Sequence, residues 1–123
     1  MAGKFVIIKT KNDGYKFNLK AANGEIVATG EVYSSLESCE NGIGSVRRNA
    51  SAAIEDTTVP GHEVLQHPKY EVYKDRAEEF RFRLKSSNGR IIATGESYVS
   101  KAGCLNGIKS IAKNAPDASV IIE

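Results

Sequence analysis

Basic side chains alternate with apolar ones along two stretches of the chain, and this spacing is the clearest sign of chemistry. In YKFNLK, Lys16 and Lys20 alternate with apolar residues, and in FRFRLK, Arg81, Arg83 and Lys85 do the same. Because successive side chains of a strand point to opposite faces, these five cations are expected on one face of a sheet. Such a face fits an anion-binding surface for phosphates or other polyanions. The alternative, which we favour, is an ordinary charged solvent face that keeps a one-sided sheet soluble.

The two cysteines, Cys39 and Cys104, occupy equivalent positions of two similar segments. Their functional interpretation would be a redox pair or two metal ligands. Their structural interpretation is burial as small apolar residues, and we expect the latter. The chain has no Cys-x-x-Cys pair, and a structural zinc site needs four clustered ligands. We therefore expect neither a metal nor another cofactor.

Both histidines lie in one proline-bounded segment, where His62, His67 and Glu63 are the donors available to a metal ion. A solvated loop is the alternative, and it is the one we expect, although the role of the two histidines stays open. Any Ser-His or Cys-His catalytic pair would have to borrow its histidine from this segment.

A carboxylate and a phenol recur just after each Thr-Gly pair, as Glu31 with Tyr33 and as Glu96 with Tyr98. Two carboxylates held about 5–9 Å apart can do acid–base work, but nothing in the sequence brings these two together. We expect the tyrosines to pack where the sheet meets a helix and the glutamates to balance nearby charge. With no phosphate-binding glycine motif either, we find no catalytic constellation and predict a protein that is not an enzyme.

The elements that position these residues come in two copies. The segment NGEIVATGEVYSSLESCENGI begins at Asn23, and NGRIIATGESYVSKAGCLNGI begins at Asn88. Self-similarity at one long period indicates a duplicated supersecondary unit, and half of this chain is marginal for burying its own core. We therefore predict a single interlocked domain over residues 1–123, with repeat one over 4–56, a linker over 57–69 and repeat two over 70–123.

Each copy has the pattern of three strands, a helix and a short last strand. A β-rich run precedes the alternating strand. Asn23-Gly24 and Asn88-Gly89 then predict two-residue type I′ turns, in which both central residues need positive φ. Apolar residues at spacings of three and four predict the helix. The last strand is clear at Ser119–Ile122, whereas its placement in the first copy, near residues 53–55, stays open.

The run NG-x-I-x-ATGE-x-Y followed by NGI-x-S, written twice, resembles the YegP-like family of small bacterial proteins of unknown function. The resemblance implies an α+β fold of tandem β3-α-β repeats that form one shared antiparallel sheet. It also implies two helices on one face of the sheet and exchanged last strands. No catalytic or binding residues come with the family.

Composition limits the function further. Hydrophobic residues make up 41% and charged residues 26% of the chain, which is typical of a globular domain. No apolar run approaches the roughly 20 residues of a membrane helix. A net charge of +2 does not by itself indicate nucleic acid. With no signal-peptide core behind the N-terminus, we expect a cytoplasmic protein. Because the duplication supplies an internal partner, we also expect a monomer that acts as an internal pseudo-dimer.

The function that these observations favour is that of a small non-enzymatic binding or accessory module of the bacterial cytoplasm. Its partner, a weakly bound polyanion or a protein, is unknown. Two alternatives remain: weak binding of a polyanion or nucleic acid through the open basic sheet face, and an enzyme with an unrecognised site at the pseudo-twofold seam between the repeats.

Overall fold

The computed structural model of the chain describes residues 3–123, in which one eight-stranded sheet carries two helices. The elements in chain order are β1 (Lys4–Lys9), β2 (Tyr15–Lys20), β3 (Ile26–Thr29), α1 (Leu36–Asn49), β4 (Ala53–Asp56), β5 (Lys69–Lys74), β6 (Phe80–Lys85), β7 (Ile91–Thr94), α2 (Lys101–Asn114), a 3-10 turn (Ala115–Asp117) and β8 (Ser119–Ile122). Neither helix of this described part has the length and apolar character needed to cross a membrane.

The strands lie in the order β4-β5-β6-β7-β3-β2-β1-β8. Each repeat contributes a three-stranded antiparallel meander, and the two meanders meet where Thr29 pairs with Thr94. The last strand of the first repeat, β4, pairs with β5 of the second, and β8 pairs with β1. The predicted α+β fold of tandem β3-α-β repeats with exchanged last strands is therefore confirmed. The last strand of the first repeat, whose placement was open, is β4.

The direction of the exchanged strands differs from the expected antiparallel sheet. β4 runs parallel to β5, and β8 runs parallel to β1, so the sheet is mixed. A parallel neighbour requires a connection that carries the chain back to the end where the previous strand began. Residues 57–68 are that connection between β4 and β5, which gives the linker a geometric role.

The side chains between the sheet and the helices form one continuous core that draws on both repeats. Within it, Phe5 packs edge-on against Phe17 with 5.6 Å between ring centres, and Phe17 stacks on Tyr33 at 6.4 Å. The second repeat contains the same aromatic stack. Aromatic pairs in these arrangements add to the stabilisation that burial provides.

Two of the repeated glycines make room for that aromatic stack. A Cβ at Gly30 would lie 2.2 Å from the ring of Phe17, and one at Gly42 would lie 2.3 Å from the hydroxyl oxygen of Tyr33. The second repeat has the same contacts at the equivalent glycines. The repeated motif therefore encodes close packing of aromatic rings against backbone, with Tyr33 at the corner between sheet and helix as expected.

The Asn-Gly hairpins do not close as two-residue turns, so that prediction was wrong for Asn23-Gly24 and for Asn88-Gly89. In the first hairpin the Gly24 N–H donates to the Ala21 carbonyl, and the Ala21 N–H donates to the carbonyl of Glu25. The loop therefore has three residues, and only its glycine has a positive φ, +87° here and +83° in the second hairpin. The reason is the asparagine side chain, which accepts a hydrogen bond from the backbone N–H two residues on and stabilises a turn that ends in a left-handed glycine.

We expect Gly24→Val and Gly89→Val each to lower the free energy of unfolding by more than about 1 kcal/mol, because a β-branched residue tolerates a left-handed φ poorly. A Cβ at Gly24 would meet no atom within 4 Å, whereas one at Gly89 would lie 3.5 Å from the His67 ring. Gly24→Val thus isolates the backbone effect. Urea unfolding measures both changes, and a neutral Gly24→Val would contradict the required geometry.

Two different side chains hold the chain where it leaves each helix for the other repeat. The Tyr70 hydroxyl donates to the Ala50 carbonyl at 2.7 Å. At the equivalent carbonyl of Ala115 the donor is Arg47, at 3.0 Å. The Arg47 guanidinium also lies 5.2 Å from the centre of the Phe5 ring. Because Phe5 is the counterpart of Tyr70 and lacks its hydroxyl, an arginine supplies the missing donor.

The hydrogen bonds of Tyr70 to Ala50 and of Arg47 to Ala115 each join the two repeats, so we propose that residues 4–123 unfold as one unit. Tyr70→Phe is expected to lower the free energy of unfolding by about 1–2 kcal/mol, because it leaves the Ala50 carbonyl without its donor. Ala112→Arg places an arginine at the counterpart of Arg47 and should restore part of that loss in the Tyr70→Phe background. Scanning calorimetry should show one transition in every variant, and two separate transitions would contradict the proposal.

The two ends of the sheet are protected differently. On β4, Asp56 lies 2.8 Å from the Lys101 ammonium group of α2. The sequence of β8 has no charged residue, and its Val120, Ile121 and Ile122 are 41%, 40% and 56% exposed. Charges on an edge strand discourage pairing with another chain. The β8 edge is therefore the less protected of the two.

Candidate functional site

The predicted basic residues lie on the sheet face away from the helices, which we name the open face. The apolar residues of β2 and β6 that alternate with them are buried in the core beneath the helices. Alternation therefore directs the other side chains of these strands to the open face. These side chains include all five cations of the sequence prediction: Lys16, Lys20, Arg81, Arg83 and Lys85.

In the second repeat, the cations of the open face are paired with carboxylates. Arg83 Nε lies 2.7 Å from Glu71 Oε1, and Lys85 Nζ lies 3.2 Å from the same oxygen. Arg81 Nε lies 2.9 Å from Asp75 Oδ2. Burial disfavours the charged form of Glu71, but hydrogen bonds from Arg83 and Lys85 outweigh it and lower the pKa of this carboxyl. Three of the five predicted cations thus already have internal counter-ions.

Glu55 anchors the linker over this half of the open face. Lys69 Nζ lies 2.6 Å from Glu55 Oε1 and 3.4 Å from Glu71 Oε2. The Leu65 N–H donates to Glu55 at 2.9 Å, and His62 Nε2 lies 3.2 Å from its other oxygen. Hydrogen bonds from Lys69 and Leu65 lower the pKa of Glu55 to about 2. His62, expected in a solvated loop, therefore helps to hold the linker.

Glu55 gives the fold a defined sensitivity to acid. Its carboxyl ionises near pH 2 in the folded protein and near its ordinary pKa of 4.5 in the unfolded chain. The unfolded state therefore binds more protons between these values, so the stabilisation from Glu55 is complete above about pH 4.5 and is lost as the pH falls towards 2. In urea unfolding at about pH 7 and about pH 3, the wild type should lose more stability than Glu55→Gln. Equal losses would contradict the assignment.

In the first repeat, the lysines of the open face have no such partners. Within residues 3–123, none of Lys4, Lys16 and Lys20 forms an ion pair. The reason lies in the counterpart positions, where Val6 stands in place of Glu71 and Ile121 pairs with Val6 as Glu55 pairs with Glu71. Positive charge is neutralised in one half of the open face and left free in the other.

Both cysteines lie in the core. Cys39 and Cys104 are both 0% exposed and unbonded. Burial raises the pKa of both thiols, that of Cys104 to about 11. A thiol rather than a thiolate is therefore present at neutral pH, which suits neither nucleophilic attack nor metal binding. In the part of the chain that the structure describes, no three His, Cys, Asp or Glu side chains gather as metal ligands.

The seam between the repeats contains a cleft, which we name the seam cleft. Tyr33 and α1 form one wall, the second hairpin forms the other, and the volume is about 640 Å³. Of the two recurring carboxylate–phenol pairs, Glu31 with Tyr33 lines this cleft, while Glu96 and Tyr98 do not. Burial raises the pKa of Tyr33 above its ordinary value of 10, so its phenol is protonated at neutral pH. The two glutamates are not brought together in the cleft.

Residues 10–56 and 75–121 match the family described as "Domain of unknown function (DUF1508)", with one match on each repeat. The chain belongs to this family. DUF1508 thus covers most of both repeats and leaves out the linker. The predicted resemblance to YegP-like proteins is confirmed by the relatives below.

The proteins to which this chain is similar include some with the length of one repeat and some with the length of two. The UPF0339 protein YegP of Yersinia pestis is 40% identical over 112 residues, 91% of this chain and 88% of that protein. A UPF0339 protein of Treponema denticola is 64% identical over 53 residues, 43% of this chain but 91% of that protein. The solution NMR structure of yegP from E. coli, described as a protein of unknown function, is 32% identical, with a TM-score of 0.82, and covers 100% of this chain and 94% of that one. No enzymatic activity is indicated for the family.

The carboxylates that neutralise half of the open face were not predicted from the sequence. A signal for Glu71 was present, because in YEVYK it alternates with Tyr70 and Val72 and so takes the outward direction. Its pairing with Arg83 follows from the β5–β6 register. Glu55 had no comparable signal, since its place beside Glu71 depends on the exchange of β4. Arg90 of the seam cleft also went unnoticed, although its counterpart in the first repeat is Glu25.

Proposed function

We propose that this protein is a small non-catalytic binding module that receives an acidic segment of a partner protein on the first-repeat half of the open face. The observation that carries the proposal is the unequal neutralisation of equivalent positions. Cations recur at the same places of both repeats, and carboxylates pair with them only in the second. We name the unpaired set, Lys4, Lys16 and Lys20, the lysine patch.

The surroundings of the lysine patch favour an acidic protein segment over nucleic acid. Ile8 lies on the same face of β1 as Lys4, and Ile121, which pairs with the buried Val6, is 40% exposed. Aliphatic neighbours suit apolar side chains of a polypeptide, and lysine pairs with carboxylates as a compact charge. Single-stranded nucleic-acid sites use aromatic rings as stacking platforms. The outward-facing Tyr73 lies instead in the second half, where its ring covers Arg83 at 4.7 Å.

Two further observations support a module that works by binding alone. Both cysteines are buried thiols, and the Tyr33 phenol in the seam cleft is kept protonated by burial. We propose that the chain is a monomer, because the second repeat takes the place that a second copy would otherwise fill.

Free buried thiols suit a reducing compartment such as the cytoplasm.

The test is a heteronuclear NMR titration of the isotope-labelled protein at low salt, with a polyglutamate peptide and, separately, with single-stranded DNA. We expect polyglutamate to shift the amide signals of β1 and β2, and the affinity to fall as salt rises. Lys16→Glu with Lys20→Glu should weaken binding by about tenfold or more, since two attractive pairs become repulsive.

The matched control is Lys109→Glu with Lys113→Glu, which makes the same change of net charge on α2. It should leave polyglutamate binding nearly unchanged. Tighter binding of DNA than of polyglutamate would replace the proposed partner by nucleic acid. Equal weakening in both double variants, or no binding of either probe, would overturn the assignment of the lysine patch.

A further inference from the structure

The seam cleft is built jointly by the two repeats. Tyr33 and the α1 residues Ser38, Asn41 and Ser45 come from the first repeat, and the second hairpin brings Arg90 from the other. Its volume of about 640 Å³ falls in the range of small-molecule sites. A ligand in this cleft would therefore contact both halves of the protein at once.

Polar groups in the seam cleft retain hydrogen-bonding capacity. Within residues 3–123, neither the Tyr33 hydroxyl nor the Asn41 amide has a side-chain hydrogen bond, although other side chains nearby do. Gly42 contributes by lacking a side chain, because a Cβ there would lie 2.3 Å from the Tyr33 hydroxyl oxygen. The phenol can therefore lie against the helix and offer its hydroxyl to the cleft.

Two opposite charges line the seam cleft without pairing with each other. Arg90 and Glu31 both border it, and both are exposed. Among residues 3–123, Arg90 and Glu31 do not form an ion pair with each other. Separated opposite charges in a concave site suit a ligand that carries both charges itself, since each end of the ligand then finds a complementary group.

The counterpart cleft in the other half differs at the decisive position. A cleft between α2 and the first hairpin is lined by Ala21, Asn106 and two lysines, Lys109 and Lys113. In the sequence, Glu25 stands at the counterpart of Arg90, and Ala21 stands at the counterpart of Ser86. Beyond the effect of burial, Glu96 and Glu25 both raise the pKa of Tyr98. Around Tyr33, by contrast, Glu31 raises the pKa and Arg90 lowers it. Tyr33 therefore has a cation near it in addition to Glu31, whereas Tyr98 has a second anion near it in addition to Glu96.

We propose that the seam cleft binds a small zwitterion, an α-amino acid or a short peptide, with its carboxylate on Arg90 and its ammonium group on Glu31. The neutral Tyr33 hydroxyl and the Asn41 amide provide further hydrogen bonds. The aliphatic lining of Val32, Ile91 and Ile92 accommodates an apolar part of the ligand. The site is separate from the lysine patch and does not depend on the function proposed for it.

The test compares ligands that differ in one charge. Isotope-labelled protein is titrated with glycylglycine, with N-acetylglycylglycine, which lacks the ammonium group, and with glycylglycine amide, which lacks the carboxylate. A mixture of the common amino acids is a fourth probe. We expect saturable shifts of the Tyr33 and Arg90 amide signals with the zwitterions. Each singly charged analogue should bind about tenfold more weakly or worse, because one charged hydrogen bond is lost.

The variants exchange the residues that distinguish the two clefts. Arg90→Glu gives the seam cleft the residue of its counterpart and should abolish the shifts, while Arg90→Lys should retain part of the affinity. Arg90 is exposed, so neither change is expected to unfold the protein, and the unperturbed signals of the core check this. Glu25→Arg should add shifts around Tyr98.

Three results would overturn the inference. The first is the absence of saturable shifts with any probe up to roughly 10 mM, a range that includes weak specific binding. The second is equal binding of the zwitterion and its singly charged analogues. The third is wild-type binding at both clefts alike, because the difference between Arg90 and Glu25 would then have no effect.

Discussion

The parallel pairing of β8 with β1 and of β4 with β5 is the constraint on which the rest of the structure depends. Neither repeat completes its own sheet, because the strand after each helix pairs with a strand of the other repeat. Half of this chain would in any case bury too little surface for independent stability. The exchange joins both halves around one core, and Tyr70 and Arg47 hold the two crossings by different chemistry.

Two copies of one motif have kept their packing and diverged in their polar residues. The aromatic stack and its glycines recur in both repeats. The outward positions differ, because Val6 of the first repeat is replaced by Glu71 in the second, and Glu25 is replaced by Arg90. In the second half, the polar residues hold the linker against the sheet, and their charges are neutralised by the ion pairs that they form there. A side chain therefore keeps an unneutralised charge where its repeat lacks the counter-charge that the other repeat has at the equivalent position.

Much of the fold could be predicted from the sequence because it rests on local patterns. Alternation identified β2 and β6, and the Asn-Gly pairs located both hairpins. The loop geometry was wrong because a three-residue turn with one left-handed glycine uses the same Asn-Gly pair as a type I′ turn. The direction of β4 could not be deduced, since it depends on where a long connection returns to the sheet.

The candidate sites were harder to predict, because they depend on contacts between distant segments. Strand alternation placed Arg83 and Lys85 outward, but their neutralisation by Glu71 needs the register of a neighbouring strand. The burial of Lys69 between Glu55 and Glu71 requires the exchanged strand and the folded linker together. No local pattern contains that information.

The unequal protection of the two sheet edges has a consequence for association between copies of this protein. A sheet with two open edges can grow without limit, since every added copy offers a new edge. Here the charged β4 edge opposes strand addition, whereas the uncharged β8 edge does not. Edge-to-edge pairing through β8 would use up the open edge of both copies. Self-association by this route would close as a symmetric pair, because only the charged β4 edges would remain and their charges discourage further strand addition.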